Sequence, residues 1–335
     1  MTLWGLMRRR EFIKCIGGAA AAWPLAPGRA VAQSSKIYRL GVLGVGPPIA
    51  ATVGDGAILV NSLAKRGYTL GKNLAYEARG AAGKKGQLPQ LMQELKAARV
   101  DVVVTISYPA AVAAKESGIP TVIASGSGDP VATGLVESLP RPGGNVTGIA
   151  DDASLLSTKR LSLLKVLLPQ LHRVAMLWNK DDLGMSLRYE ASAKAAQDMG
   201  VVVQPLGVRE PDDFNEAFTA MNREMPDAIL MVSDSLTLLN RKRVIDFAAE
   251  HRVPAIYEAD TIVHDGGLMS YGPDLTESFE RAAALIARIS RGERPATLPF
   301  EQPAHYRFVV NLRAAKRIET EFPSTLLALA DEVIE

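Results

Sequence analysis

The chain has little of what most catalytic and metal-binding proteins use. Its 335 residues contain one cysteine, Cys15, four histidines and only 6% aromatic residues. A lone thiol forms no disulfide within the chain and cannot build a Cys-ligated metal site. His172, His251, His264 and His305 stand far apart and give no metal-spaced pair. There is no Gly-x-Ser-x-Gly nucleophile elbow and no Walker-type phosphate loop. Gly41-Val42-Leu43-Gly44-Val45-Gly46 runs Gly-x-x-Gly-x-Gly into Pro47-Pro48, whereas the dinucleotide fingerprint needs Gly-x-Gly-x-x-Gly opening a helix. No catalytic residue, metal or cofactor is therefore expected. Charge of neither sign dominates, with 38 Lys+Arg against 36 Asp+Glu. No apolar run reaches the roughly 20 residues that span a bilayer.

The first 32 residues read as an address. Arg8-Arg9-Arg10 precede an apolar run from Cys15 to Trp23, and Ala30-Val31-Ala32 offers a small-residue cleavage site. Arg9-Arg10-Glu11-Phe12-Ile13-Lys14 is similar to the twin-arginine export motif, with Arg8 in place of its usual Ser or Thr. Cleavage near Ala32 predicts an exported, periplasmic chain. The leader holds five of the Lys+Arg and one of the Asp+Glu, so 33 and 35 remain. The basic balance belongs to the leader, and nucleic acid is not an expected partner. Cys15 leaves with it. An anchor there is not expected, because the cysteine precedes the apolar run.

From Arg39 onward, short β-branched runs alternate with longer amphipathic ones, the pattern of parallel strands joined by helices. Strands are predicted at 39–43, 74–78, 100–106, 121–124 and 146–149, with helices near 50–66, 87–98, 109–117 and 130–138. The second half repeats the plan with strands at 173–178, 201–205, 228–232 and 255–257, and helices near 155–168, 184–199, 211–224 and 236–250. After a short apolar run at 268–271 come a helix near 274–291, a strand at 308–311 and a helical tail. The expected fold is α/β, two Rossmann-like lobes with parallel sheets and an interlobe ligand cleft. Lobe 1 is assigned 36–150 plus 269–300 and lobe 2 is assigned 151–262, while 300–335 forms a crossing segment and tail of open lobe assignment. Crossings are expected at 150–154, 259–268 and 299–307, and several crossings make a hinge.

Ligands of open α/β sheets sit beyond the carboxyl ends of the strands, against helix N-termini. That rule selects Gly44, Gly46, Ser107, Tyr108, Ser125 and Ser127 in the first lobe. In the second it selects Ser233, Asp234, Tyr257 and Glu258, with Asn179–Asp182 nearby. Hydroxyls at helix starts suit a carboxylate, acids suit an ammonium, and Tyr108 or Tyr257 could stack on a flat body. Helix capping alone is an equal reading of Ser125, Ser127, Asp129 and Ser233–Ser235. Tyr271 reads as hinge packing, and Arg141–Gly148, with Pro142 and two glycines, as turn chemistry. Trp178, the only tryptophan after the leader, would report binding if it lay near the cleft.

Arg8–Ile13, Asp129-Pro130-Val131, Arg141-Pro142-Gly143-Gly144-Asn145-Val146-Thr147-Gly148, Gly266-Gly267-Leu268-Met269-Ser270-Tyr271-Gly272, Leu298-Pro299, Gln302-Pro303 and Ala330–Glu335 follow one another in order across the chain. In these segments the sequence resembles the ABC transporter substrate-binding proteins of the tryptophan/tyrosine-binding-like group. The resemblance implies the type I periplasmic binding fold and a small solute, an amino acid or an aromatic or small carboxylate, bound between hinged lobes. It also implies a membrane permease of an ABC importer as partner and a monomer that does not span the membrane. The family commonly carries serines just after the first strand, where this chain has Gly44–Pro48. Presentation of the solute to a membrane sensor is the alternative, and an exported α/β enzyme a lesser one. A repressor effector domain is not expected, because the N-terminus reads as an export leader and no DNA-reading helix-turn-helix is read before the first lobe.

Overall fold

In a computed structural model, residues 36–150 and 153–335 are described. The expected leader with its cleavage site, and residues 151–152 of the first crossing, lie outside them. Ile37–Glu335 form one compact unit built from two sheets. The first sheet has five parallel strands in the order β2-β1-β3-β4-β5: β1 Tyr38–Gly44, β2 Leu74–Gly80, β3 Val102–Ile106, β4 Thr121–Ser125 and β5 Val146–Gly148. Val102, Val103 and Val104 have no exposed surface, as expected of a strand covered on both faces. Helices α1 Gly54–Ala64, α2 Leu88–Ala97 and α3 Tyr108–Ser117 join the strands. In α2, Pro89 opens the helix and Leu88, Met92 and Leu95, spaced four and three residues apart, form the buried stripe.

The second sheet has seven strands in the order β12-β11-β10-β9-β8-β6-β7: β6 Arg173–Asn179, β7 Val202–Val208, β8 Ala228–Met231, β9 Ala255–Tyr257, β10 Met269–Pro273, β11 Tyr306–Asn311 and β12 Glu332–Ile334. All pair in parallel except β10 with β11. Its helices are α4 Ala153–Leu167, α5 Leu183–Asp198, α6 Asp213–Arg223, α7 Ser235–Leu239, α8 Arg241–Glu250 and α9 Asp260–His264. After β10 the chain returns to the first lobe as α10 Leu275–Ser290, then ends in the second as β11, α11 Leu312–Arg317, α12 Ser324–Leu327 and β12. Asp274 starts α10 by accepting the Thr276 N–H at 2.8 Å. Phe279, Ala282, Ala283, Ile286 and Ile289 of that helix then enter the core of Leu40, Leu59, Leu63 and Val104. Each large apolar side chain so buried contributes about 1.5–3 kcal/mol.

Several sequence expectations are corrected. Residues 269–273, assigned to the first lobe, belong to the second sheet, because Met269 pairs with Ile256 and Val310 and is fully buried in the second core. The second crossing therefore lies at 273–275 rather than 259–268, and 259–268 holds α9. Of residues 300–335, left open, Phe300 packs in the first lobe and the Ala304 and His305 N–H groups donate to Glu277 of α10, while β11 onward packs in the second lobe. The helix predicted at 130–138 is a single turn. Asp129 Oδ1 accepts the Val131 and Ala132 N–H groups at 2.8 and 3.0 Å, and Gly134, at φ 72°, turns the chain away. The helix predicted at 236–250 breaks at Asn240, and the tail ends in a strand rather than a helix. At the hinge two crossings lie side by side, with the Glu301 N–H donating to the Gly148 carbonyl and the Ala150 N–H to that of Glu301, both at 2.9 Å.

Candidate functional site

The carboxyl ends of β3, β4, β8 and β9 meet at a cleft between the lobes. It encloses about 730 Å³ of free space, part of it continuous with solvent. Ile106, Ser107, Ser125, Gly126 and Leu275 line it from the first lobe, and Met185, Arg188, Ser233, Asp234, Leu238 and Glu258 from the second.

Ser107 stands at the N-terminus of α3 with φ 102°, a region that non-glycine residues rarely occupy. Its N–H donates to the Ser125 carbonyl at 3.0 Å and its carbonyl receives the Ala111 N–H at 3.1 Å, which hold the unusual backbone in place. Its side chain does not cap α3, so the first turn keeps open N–H groups and partial positive charge. The Ser107 hydroxyl is buried without a hydrogen-bond partner, and so is that of Ser233 across the cleft. Two buried hydroxyls without partners are costly unless a ligand satisfies them.

The charged groups of the second wall are already paired, whereas its Ser233 hydroxyl is not. Glu258 Oε1 receives Arg160 Nη1 at 2.7 Å, and Oε2 receives Arg188 Nη1 at 2.8 Å and the Ser233 N–H at 3.2 Å. The Arg160 Nε also donates to the Tyr271 carbonyl at 2.7 Å. Asp234 caps α7, accepting Thr237 N–H at 2.9 Å and Asn179 Nδ2 at 2.6 Å. Asp182, 2% exposed, caps α5 by accepting the Met185 N–H at 3.2 Å. Burial first, and then the Asp234 charge, push its carboxyl up to about 6, against the pull of the Met185 and Gly184 N–H groups and Arg188.

The lobes touch at the rim. A Cβ on Gly128, whose φ is 65°, would lie 2.9 Å from the Gly184 Cα, so only glycine permits this approach. Lys85 Nζ reaches Asp181 Oδ2 at 3.0 Å across the same opening, and that hydrogen bond holds the Asp181 carboxyl below its usual range.

Of the residues selected from sequence, Ser107, Ser125, Ser233, Asp234 and Glu258 come together at the cavity. Gly44 and Gly46 lie outside it, because their carbonyls receive the Ala81 and Ala82 N–H groups and the 80–83 turn closes over them. Tyr257, fully buried, points to the opposite face of β9 from Glu258 and packs with Phe214 and Ile262. Tyr108 and Ser127 sit at the rim beside Gly184, and the Ser127 hydroxyl donates to the Gly128 carbonyl at 3.1 Å. Trp178 stacks on Tyr189 with ring centroids 3.7 Å apart and does not line the cavity. Arg141–Gly148 packs as a turn, with Thr147 donating to the Leu298 carbonyl at 2.8 Å.

Sequence reasoning missed Arg160 and Arg188. Each sits on the buried stripe of its helix, Arg160 four residues after Leu156 and four before Leu164, and Arg188 four after Gly184 and four before Ser192. A cation on an apolar stripe was the available signal.

A family model described as ABC transporter substrate binding protein matches residues 51–334. A tyrosine-binding protein of Clostridioides difficile is 24% identical over 264 residues, covering 78% of this chain and 75% of that protein. A conserved domain protein of Vibrio cholerae superposes with a TM-score of 0.83 at 25% identity, covering 89% of this chain and all of that one. An ABC domain from Streptococcus pneumonia in complex with L-Trp gives 0.80 at 23% identity, covering 89% of this chain and 99% of that one. The two-lobed architecture is the type I periplasmic binding fold.

Proposed function

Because the chain belongs to the ABC transporter substrate-binding proteins, we propose that it is the exported binding component of an importer, closing its two lobes over one small amino acid without turning it over. The buried hydroxyls of Ser107 and Ser233, unpartnered and on opposite walls of one cavity, carry this reading. A carboxylate fits the first wall, where Ser107, Ser125 and the start of α3 offer donors and positive potential. An ammonium fits the second, where Asp234 Oδ2 keeps a lone pair beyond its bond to Asn179. Glu258 serves this site as the anchor of Arg160 and Arg188 rather than as a ligand acid. A solute touching both walls favours the lobe-to-lobe contact at Gly128 and Gly184, and a membrane permease would read that closed form. The leader would deliver the chain to the periplasm as a monomer.

A thermal-shift screen of the twenty amino acids and related small carboxylates tests the reading. An amino acid at a hundredfold excess over its Kd raises stability by about 2.7 kcal/mol. No shift with any of these solutes, or turnover of one of them, rejects it.

A further inference from the structure

Resting on that amino-acid reading, we infer that the bound solute carries an aliphatic side chain, in contrast to the tyrosine and L-Trp named for two relatives. The apolar surface of the cavity comes from Ile106 and Leu275 on one side, from Met185, Leu238 and Ala259 on the other, and from Pro273 at the end of β10. Among the described residues, no aromatic side chain lines it.

The rings nearby are committed elsewhere. Tyr257 lies in the core behind β9, Tyr108 packs with the cluster of Ala111, Ile123 and Leu135, and Tyr271 stacks on Tyr306 at 6.0 Å. A flat ring gains specific energy from another ring or from a cation over its face. The lining cation, Arg188, is bound by its Nη1 to Glu258. Branched and flexible aliphatic walls gain instead by close packing of methyl and methylene groups, which rewards a compact sp³ side chain of matching shape. The two lobes contribute such walls together, so closure wraps the solute side chain from opposite directions.

Isothermal titration of the purified protein with L-leucine, L-isoleucine, L-valine and L-methionine, against L-tyrosine, L-tryptophan and L-phenylalanine, tests the inference. At least one aliphatic member binds tenfold or more tighter than every aromatic one. Tighter binding of an aromatic amino acid overturns the inference and leaves the amino-acid reading standing, whereas absence of binding by all seven overturns that reading with it. Leu238→Ala and, from the opposite lobe, Leu275→Ala each weaken the preferred aliphatic ligand about tenfold, as expected for loss of one apolar contact. Unaltered affinity for the preferred ligand in both variants also overturns the inference.

Discussion

The two walls of the cleft are made differently. On the first, a strained serine, a second serine and a helix start present polar groups that the protein itself does not use. On the second, Glu258, Arg160, Arg188, Asp234 and Asn179 form a buried network whose charges are matched within the lobe. A wall with internal partners holds its shape before any solute arrives, while one with unsatisfied groups gains most when the solute comes. Substitutions in the charged network of the second wall should thus act on stability and those of the unsatisfied groups on the first on affinity, a split that four experiments can break or sharpen.

The largest effect is expected at Glu258. Glu258→Gln removes the carboxylate charge that Arg160 and Arg188 share, and losing one partner of a buried pair costs about 3–5 kcal/mol. Urea denaturation of the unliganded variant measures it. A loss under about 1 kcal/mol, the range of a solvent-exposed pair, would mean that the network is solvated and that the second wall is not pre-formed.

Asp182 comes next. Its carboxyl is raised to about 6 in the folded protein from 3.8, so the native state holds its proton more tightly than the unfolded chain does. The resulting stability is fully present below the unfolded value and is lost as pH rises through about 6. Relative to Asp182→Asn, the parent should lose roughly 2 kcal/mol between about pH 4 and pH 7, because each tenfold gain in proton affinity on folding is worth about 1.4 kcal/mol. Denaturation midpoints of the two proteins across that range decide it, and parallel curves would show that Asp182 stays solvated in the second lobe.

Gly128→Ala tests the contact between the walls. The new Cβ meets the Gly184 backbone, so the closed form suffers more than the open one, and affinity should fall at least tenfold by calorimetry. Unchanged affinity would mean that solute is held without this contact.

How far these differences could be read from sequence depends on the kind of signal each leaves. Parallel strands were legible because runs such as Val102–Val104 and Ala228–Met231 are buried on both faces and carry no alternation. The helix start at Ser107 and the loop at Ser233–Asp234 were legible from position alone, since strand ends select them. Arg160 and Glu258 are 98 residues apart, and only the stacking of α4 and α5 on the second sheet brings both arginines to one carboxylate. The return of α10 to the first lobe was legible because the segment left after the second α/β unit is too short for a domain and had to complete a lobe. The placement of β10 was not, because a five-residue apolar strand suits either sheet until its neighbours are known.

The smallest expected effect is also the cleanest separation of the walls. Ser107 combines a hydroxyl without a protein partner and a backbone at φ 102°, and two variants pull these apart. Ser107→Ala removes the unpartnered hydroxyl and keeps the backbone strain, so unliganded stability should not fall below that of the parent. Affinity for the solute should fall about tenfold, the loss of one hydrogen bond of about 1.4 kcal/mol. Ser107→Gly removes both, and since glycine adopts this conformation without penalty it should raise unliganded stability by about 1 kcal/mol while losing the same affinity. Melting curves of the free proteins and calorimetry with solute read the two quantities independently. If Ser107→Ala destabilises the free protein as Glu258→Gln does, the hydroxyl belongs to the fold and the walls are alike. If it only weakens binding, the first wall is kept unsatisfied for its solute.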